Sequence, residues 1–425
     1  MRVSFQFAGT AAFLAFTTKT CTGSETDQDP MRPPLRFTTL AVHAGRRPTP
    51  QDPDLSPPIR RATTFLQHPE VHELTDAGDW STPLVYSRYG SPNASDAEEV
   101  LAALEGAERG VLFASGMAAI HAMLLHAFPG GSGKVALARQ IYGGTSSLLS
   151  KALASLGFEV IPFDVQDDGE LGAALAAGAG LVHVEGLSNP TALLANIPRL
   201  AEQAHAAGAL LSVDSTFATP VVQRPLELGA DLVVHSATKA LAGHSDVTAG
   251  VVLGSAARME QVAGYRKLTG AILDPAAAWL LRRSLSTLGL RVEAQCRAAS
   301  ALARSLADRE DVVRVHYPGL PGDPGHSLAP RVLLDGLHGS MLAFELAGGD
   351  DLARPFVSRL RLAVDAPSLG GVETLVSIPH LMSHPGLSAE ERLGVGFGPG
   401  CIRVACGIED PEDLVADFAC AFDER

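Results

Sequence analysis

Seven short apolar runs, at 111–113, 135–137, 159–161, 181–184, 210–213, 231–234 and 251–253, constrain this chain more than any other feature. Each has the length of a buried strand. Most are separated by Ala/Leu-rich amphipathic stretches, such as 146–156 and 198–207. Strands that alternate with helices predict a mostly parallel sheet with helices on both faces. The fold class expected is α/β. From residue 275 a helical pattern runs on to about 308, with Arg282, Arg283 and Arg291 on its polar side. From 312 onward strands and helices mix as in a smaller α+β domain. Residues 36–95 are rich in Pro, Arg and Thr and read as an extended arm.

The chain thus divides into a non-native or disordered extension (1–30), an arm (31–95), a large domain (96–285) and a C-terminal domain (286–425). Apolar residues 5–16 loosely imitate a signal peptide, but polar Thr17-Thr18-Lys19-Thr20 follows, and translation is expected to begin at Met31. A net charge of −14 speaks against nucleic acid or an anionic membrane as partner. No run is long and apolar enough to span a bilayer. Five cysteines form neither a disulfide framework nor a zinc pattern, so a cytoplasmic protein without a metal is expected.

Ligands of doubly wound sheets collect beyond the carboxyl ends of the strands. Ser115-Gly116-Met117 follows the first run and opens a helix, a turn suited to holding a phosphate by backbone N–H groups. Tyr142-Gly143-Gly144-Thr145 follows the second. Glu185 and Ser188-Asn189-Pro190 follow the fourth, Asp214 the fifth, and His235-Ser236-Ala237-Thr238-Lys239 the sixth. One cofactor answers to this set. Pyridoxal phosphate needs a lysine for its aldehyde, an acid for its pyridine nitrogen and donors for its phosphate. Lys239 would carry it as a Schiff base, and Asp214 would hold the ring nitrogen protonated. Ser236 and Thr238 would donate to the phosphate. Tyr142 would stack on the ring, and Asn189 would bond its phenolic oxygen.

The chain resembles the Cys/Met-metabolism pyridoxal-phosphate enzymes, the trans-sulfuration family of cystathionine γ-synthase, cystathionine γ-lyase and methionine γ-lyase. The resemblance runs from about Thr38 to Phe422. It is carried by Tyr86-Ser87-Arg88-Tyr89-Gly90, Ala114-Ser115-Gly116-Met117, Tyr142-Gly143-Gly144-Thr145, Val213-Asp214-Ser215-Thr216, Ser236-Ala237-Thr238-Lys239, Ser368-Leu369-Gly370-Gly371 and Arg403-Val404-Ala405-Cys406-Gly407. It implies the fold-type-I pyridoxal-phosphate transferase fold, with a seven-stranded sheet in the large domain. It also implies a homotetramer built from dimers, in which Tyr86 and Arg88 reach the phosphate in the neighbouring subunit. Gly116 and Met117 would give backbone donors. Arg403 would clamp the substrate carboxylate, Ser368 would orient Lys239, and Tyr142 would assist proton transfer. The activity implied is a carbon–sulfur lyase or γ-replacement enzyme acting on methionine, cystathionine or an O-acyl-homoserine. The alternative is an O-acyl-homoserine sulfhydrylase or cystathionine γ-synthase. A non-catalytic cofactor-binding homologue and a transaminase stand behind these.

Several positions depart from the family pattern. Ser91-Pro92-Asn93 replaces Asn-Pro-Thr, and Glu185-Gly186-Leu187-Ser188-Asn189-Pro190 replaces an acidic-Ser-Pro-Thr-Asn-Pro segment. Ser147 and Pro367 stand where cystathionine-handling relatives often have Arg and Glu. Both point to a smaller or less charged distal group on the substrate.

Overall fold

All seven runs are strands of one sheet: β1 (Arg109–Phe113), β2 (Gly133–Ala138), β3 (Phe158–Phe163), β4 (Leu181–Glu185), β5 (Leu210–Asp214), β6 (Leu232–His235) and β7 (Gly250–Gly254). Their order is β1-β7-β6-β5-β4-β2-β3. Strand β7 runs antiparallel to both β1 and β6, and the other neighbours are parallel. Strands β4 and β7 are buried at every position, as expected of strands covered on both faces. His183, inside β4, is tolerated because Ser212 Oγ lies 2.7 Å from its Nδ1, and burial pushes its pKa down to about 4. The computed structural model describes residues 35–45, 48–50, 53–76, 84–383 and 387–423. The expectations for residues 1–30 and for a start at Met31 lie outside them.

A second sheet has the order β10-β11-β12-β9-β8, from β8 (Val312–His316), β9 (Met341–Leu346), β10 (Val364–Asp365), β11 (Leu375–Ser377) and β12 (Cys401–Ala405). Only the short β10–β11 pair is parallel. Phe344, Phe356 and Phe418 pack edge-on or tilted under this sheet.

The single long helix expected from 275 is two helices, Pro275–Leu285 and Leu288–Ala307. Arg291 explains the break and corrects its expected place on the polar side. Its guanidinium is buried and donates to Ala240 O at 2.7 Å and to Ser284 O at 2.8 Å. A buried cation must find oxygens, and a carbonyl at the end of the first helix is one of them. Gly243 makes room, since a Cβ there would meet Arg291 Nη1 at 1.9 Å.

The arm is not wholly extended. It contains the helices Phe37–His43 and Pro69–Asp76, and the next helix already begins at Pro92. Ser91 caps that helix by accepting from the Ala94 N–H, with Pro92 in its first turn. Buried Asn93 holds the arm by accepting from the Arg60 N–H and donating to Pro58 O, both at 2.9 Å. Trp279 Nε1 donates to Pro57 O at 2.7 Å. Arg282 Nη2 donates to Val42 O and Ala44 O, both at 3.2 Å, and so satisfies carbonyls at the end of the first helix. Among the described residues no helix is long and apolar enough to cross a membrane.

Candidate active site

The ends of β4, β5 and β6, the turn after β2, the start of the helix Gly116–Ala127 and two segments flanking the second sheet enclose a cavity of about 400 Å³. Of the predicted residues, Ser115, Gly116, Met117, Tyr142, Asn189, Asp214, Ser236, Thr238, Lys239, Ser368 and Arg403 all line it. The volume lies within the ~300–1,000 Å³ range of small-molecule sites.

Lys239 lies in the turns that follow β6. Its N–H donates to Ser236 O at 3.1 Å, and the Ser236 N–H donates to Thr216 Oγ1 at 2.8 Å. Its Nζ donates to Ser368 Oγ at 2.8 Å. Burial lowers its pKa, and the Arg403 cation lowers it further. Both effects favour a free amine, the form that attacks an aldehyde or accepts a proton. Ser368 sits at φ 104, a region that favours glycine and costs a residue with a side chain about 1–3 kcal/mol. The strain sets Ser368 Oγ against Lys239 while its carbonyl accepts from Arg403 Nη2 at 2.8 Å.

Arg403 enters from β12. It is only 5% exposed, and its other Nη donates to Asn189 Oδ1 at 3.2 Å. Burial pushes its pKa down to about 10. Its Nε is buried with no partner among the described residues. A desolvated guanidinium held only by neutral oxygens is poised to take a carboxylate.

Two acids face the same space. Asp214 Oδ1 accepts from the Thr216 N–H at 2.9 Å, and burial raises its pKa. Glu185 accepts from the Tyr142 N–H at 2.7 Å with one oxygen and from the Asn189 N–H at 2.8 Å with the other. Burial, then the charge of Asp214, raises its pKa too. Behind them His235 Nε2 is 3.0 Å from Glu105 Oε2, both fully enclosed.

The opposite end offers N–H groups. Ser115 Oγ caps the helix Gly116–Ala127 by accepting from the Ala118 N–H at 3.1 Å. The Gly116 and Met117 N–H groups have no acceptor among the described residues. A Cβ on Gly116 would sit 2.9 Å from Ser236 Cβ, and one on Gly250 would sit 2.2 Å from Ser115 O, so glycine is required for this cradle. The Thr238 hydroxyl donates to Ala249 O at 3.1 Å and accepts from the Ala249 N–H at 2.9 Å, and Thr238 lines the cavity. That exchange closes the loop carrying Lys239. Tyr142 folds over its own turn: a Cβ on Gly144 would lie 2.3 Å from its ring.

Two predicted residues lie outside the cavity. Tyr86 is 39% exposed, and Arg88 lies over the rings of Tyr86 and Tyr89 at 5.7 and 5.0 Å while donating to Lys267 O. Ser147 is exposed and does not line the cavity, whereas Pro367 does. Sequence reasoning missed Thr216, Phe217, Thr248, Met382 and Ser383 as lining residues. The phase of the strand-end turn at Asp214 carries a signal for Thr216. No pattern marks Met382 and Ser383, which arrive from a loop after β11.

A family model described as Cys/Met metabolism PLP-dependent enzyme matches residues 38–423. The chain belongs to this family. It is 39% identical over 384 residues to the L-methionine gamma-lyase of Pseudomonas putida, covering 90% of this chain and 96% of that one. It is 40% identical over 383 residues to the O-succinylhomoserine sulfhydrylase of Pseudomonas aeruginosa, covering 90% and 94%. The solved cystathionine gamma synthase of Xanthomonas oryzae pv. oryzae superposes with a TM-score of 0.85 at 35% identity, covering 92% and 98%. The fold is therefore that of the family, and pyridoxal phosphate is the family's cofactor. The cavity suits this group: an amine, a buried acid across from it and a glycine-lined set of free N–H groups occur together. The chain is thus a pyridoxal-phosphate-dependent enzyme of sulfur amino-acid metabolism.

Proposed function

We propose that this enzyme is a carbon–sulfur lyase or γ-replacement enzyme that works through Lys239. The observation that carries the reading is the Lys239–Ser368–Arg403 chain of hydrogen bonds, which sets an amine beside a carboxylate-binding guanidinium in one cavity. Bound pyridoxal phosphate supplies an electron sink for the substrate's α-carbon. In this reading Asp214 holds the ring nitrogen, and Asn189 bonds the ring oxygen. Tyr142 covers the ring face. Ser115, Gly116, Met117 and Ser236 receive the phosphate, and Thr238 braces that loop from behind.

Arg403 anchors the substrate carboxylate and so fixes which protons face Lys239. Lys239 Nζ would take the proton from Cα, pass it on to the bound cofactor and, as a free amine again, take one from Cβ, which lets a substituent at Cγ leave. Ser368 Oγ holds Nζ in line between these tasks. Tyr142 assists proton transfer at the substrate amine or the leaving group. Water then yields a 2-oxo acid and ammonia, and a thiol yields replacement. Similarity to a sulfhydrylase at 40% identity keeps replacement beside elimination.

Arg403 is the only arginine among the described residues lining the cavity, and Pro367 offers no charge there. This supports a substrate whose distal group is small or uncharged, such as methionine or an acylated homoserine. Tyr86 and Arg88 do not line this cavity, and Tyr86 is exposed, which supports their reaching the site of a second copy. The assembly proposed is a homotetramer of such dimers. Free thiols at Cys296, Cys401, Cys406 and Cys420 support a cytoplasmic setting.

The test is to supply purified holoenzyme with methionine, cystathionine and O-acyl-homoserines. The expected products are a 2-oxo acid with ammonia, or a new thioether when thiol is present. Turnover of none of them, or amino-group transfer without loss of the γ-substituent, would overturn the reading.

A further inference from the structure

Glu185 and Asp214 are register partners at the ends of adjacent parallel strands, β4 and β5. Paired residues of neighbouring strands project to one face with backbones about 5 Å apart. The two residues are 7% and 8% exposed. Two carboxylates held this close and away from water do not both stay charged; they share a proton.

Among the described residues His235 favours the charged form of Asp214, and no cation does the same for Glu185. The titratable groups lining the same space are Lys239 beyond β6, Arg403 on β12 and the Tyr142 phenol after β2. Lys239 donates to Ser368 Oγ, and the two Arg403 Nη atoms donate to Asn189 Oδ1 and Ser368 O, so these hydrogen bonds of both groups end on neutral oxygens. On β6, His235 is turned to Glu105 of the helix Pro92–Glu105. His183, lower on β4, is bonded to Ser212.

We infer that the pair holds one proton at neutral pH, that Glu185 carries it, and that neutral Glu185 is a positioning residue clasping the Tyr142 turn to the Asn189 loop. Glu185 is the better holder because burial and the charge of Asp214 on the neighbouring strand raise it more than the Asn189 and Tyr142 N–H groups lower it. Asp214 accepts the Thr216 N–H, and His235 favours its charged form. Burial raises both acids, and the charge of Asp214 adds to the rise at Glu185. A neutral Glu185 leaves a single negative charge at Asp214. It also lets one side chain join two turns from different strands without adding a second anion. Through Asn189 the clasp extends to Arg403. The catalytic consequence rests on the role proposed above for Asp214; the place of the proton does not, so the two fail separately.

Infrared spectra of the wild-type holoenzyme across pH, with and without 13C-carboxyl glutamate, test the inference without relying on a variant. The expected result is the carbonyl stretch of a protonated carboxyl at neutral pH, shifted by the glutamate label and absent in Glu185→Gln. It should vanish as pH rises, in step with a loss of kcat/KM. Four results would overturn the inference: no such band at neutral pH, a band shifted by labelled aspartate instead, a glutamate band that survives in Glu185→Gln, or kcat/KM unchanged while the band disappears.

Discussion

Arg403 and Arg88 were both expected to serve the active site, and the molecule treats them in opposite ways. Arg403 is buried on β12, with an unpartnered Nε and its Nη atoms on neutral oxygens of the cavity. Arg88 lies on the arm between two tyrosine rings and a helix-end carbonyl, outside that cavity. One chain therefore builds the amine, acid and carboxylate ends of a site by itself. The arm builds an aromatic and cationic cluster that does not line this cavity. The contrast separates what a single fold supplies from what a second copy is proposed to add.

The largest effect should come from inside the cavity. Lys239→Ala removes the proposed base and anchor, and kcat should fall by at least about 10³-fold, with loss of the bound cofactor's visible band. Retention of either would break the cavity half of the comparison. Next in size is Arg403→Lys, which keeps the charge and loses the planar fork. A drop of about 10²-fold in kcat/KM, mostly through KM, is expected in steady-state assays. A loss confined to kcat would mean that Arg403 does not anchor the substrate.

Arg88→Ala should act on the cofactor, weakening its retention about 10-fold in equilibrium dialysis. Mixing it with Lys239→Ala sharpens the contrast. If each site takes Arg88 from the other copy, mixed dimers restore one intact site, and about a quarter of full activity should return. No recovery would place both residues in one chain's site. The smallest effect should follow Arg282→Met, which strips the carbonyls at the end of the helix Phe37–His43 of their donor. A stability loss of about 1 kcal/mol is expected from thermal or denaturant unfolding, with KM unchanged.

How much of this was legible depended on whether local pattern or distant contact decided the outcome. Strands β1–β7 were readable because burial on both faces leaves apolar runs. Lys239, Asp214 and Asn189 were readable because ligands gather at strand ends. The break at 286–287 was not, because its cause is Arg291 reaching Ala240, 51 residues away in sequence. Arg291 was misplaced for the same reason: helical periodicity alone assigns a charge to solvent. The bonds of the Thr238 hydroxyl to Ala249 were not legible either, because the partner lies across a loop closure, 11 residues away in sequence. Glu185 follows the fourth run in sequence, but its bonds to the Tyr142 and Asn189 N–H groups depend on turns from two different strands and leave no local pattern. The arm read as extended because its helices are short and its apolar faces are small.

The central claim is that Lys239, within the cavity it shares with Asp214 and Arg403, is the cofactor's attachment point. Reducing the holoenzyme with borohydride and mapping the labelled peptide by mass spectrometry tests it directly. The account predicts the cofactor on the peptide containing Lys239 and on no other lysine. Label on a different lysine, or no covalent label at all, would contradict it.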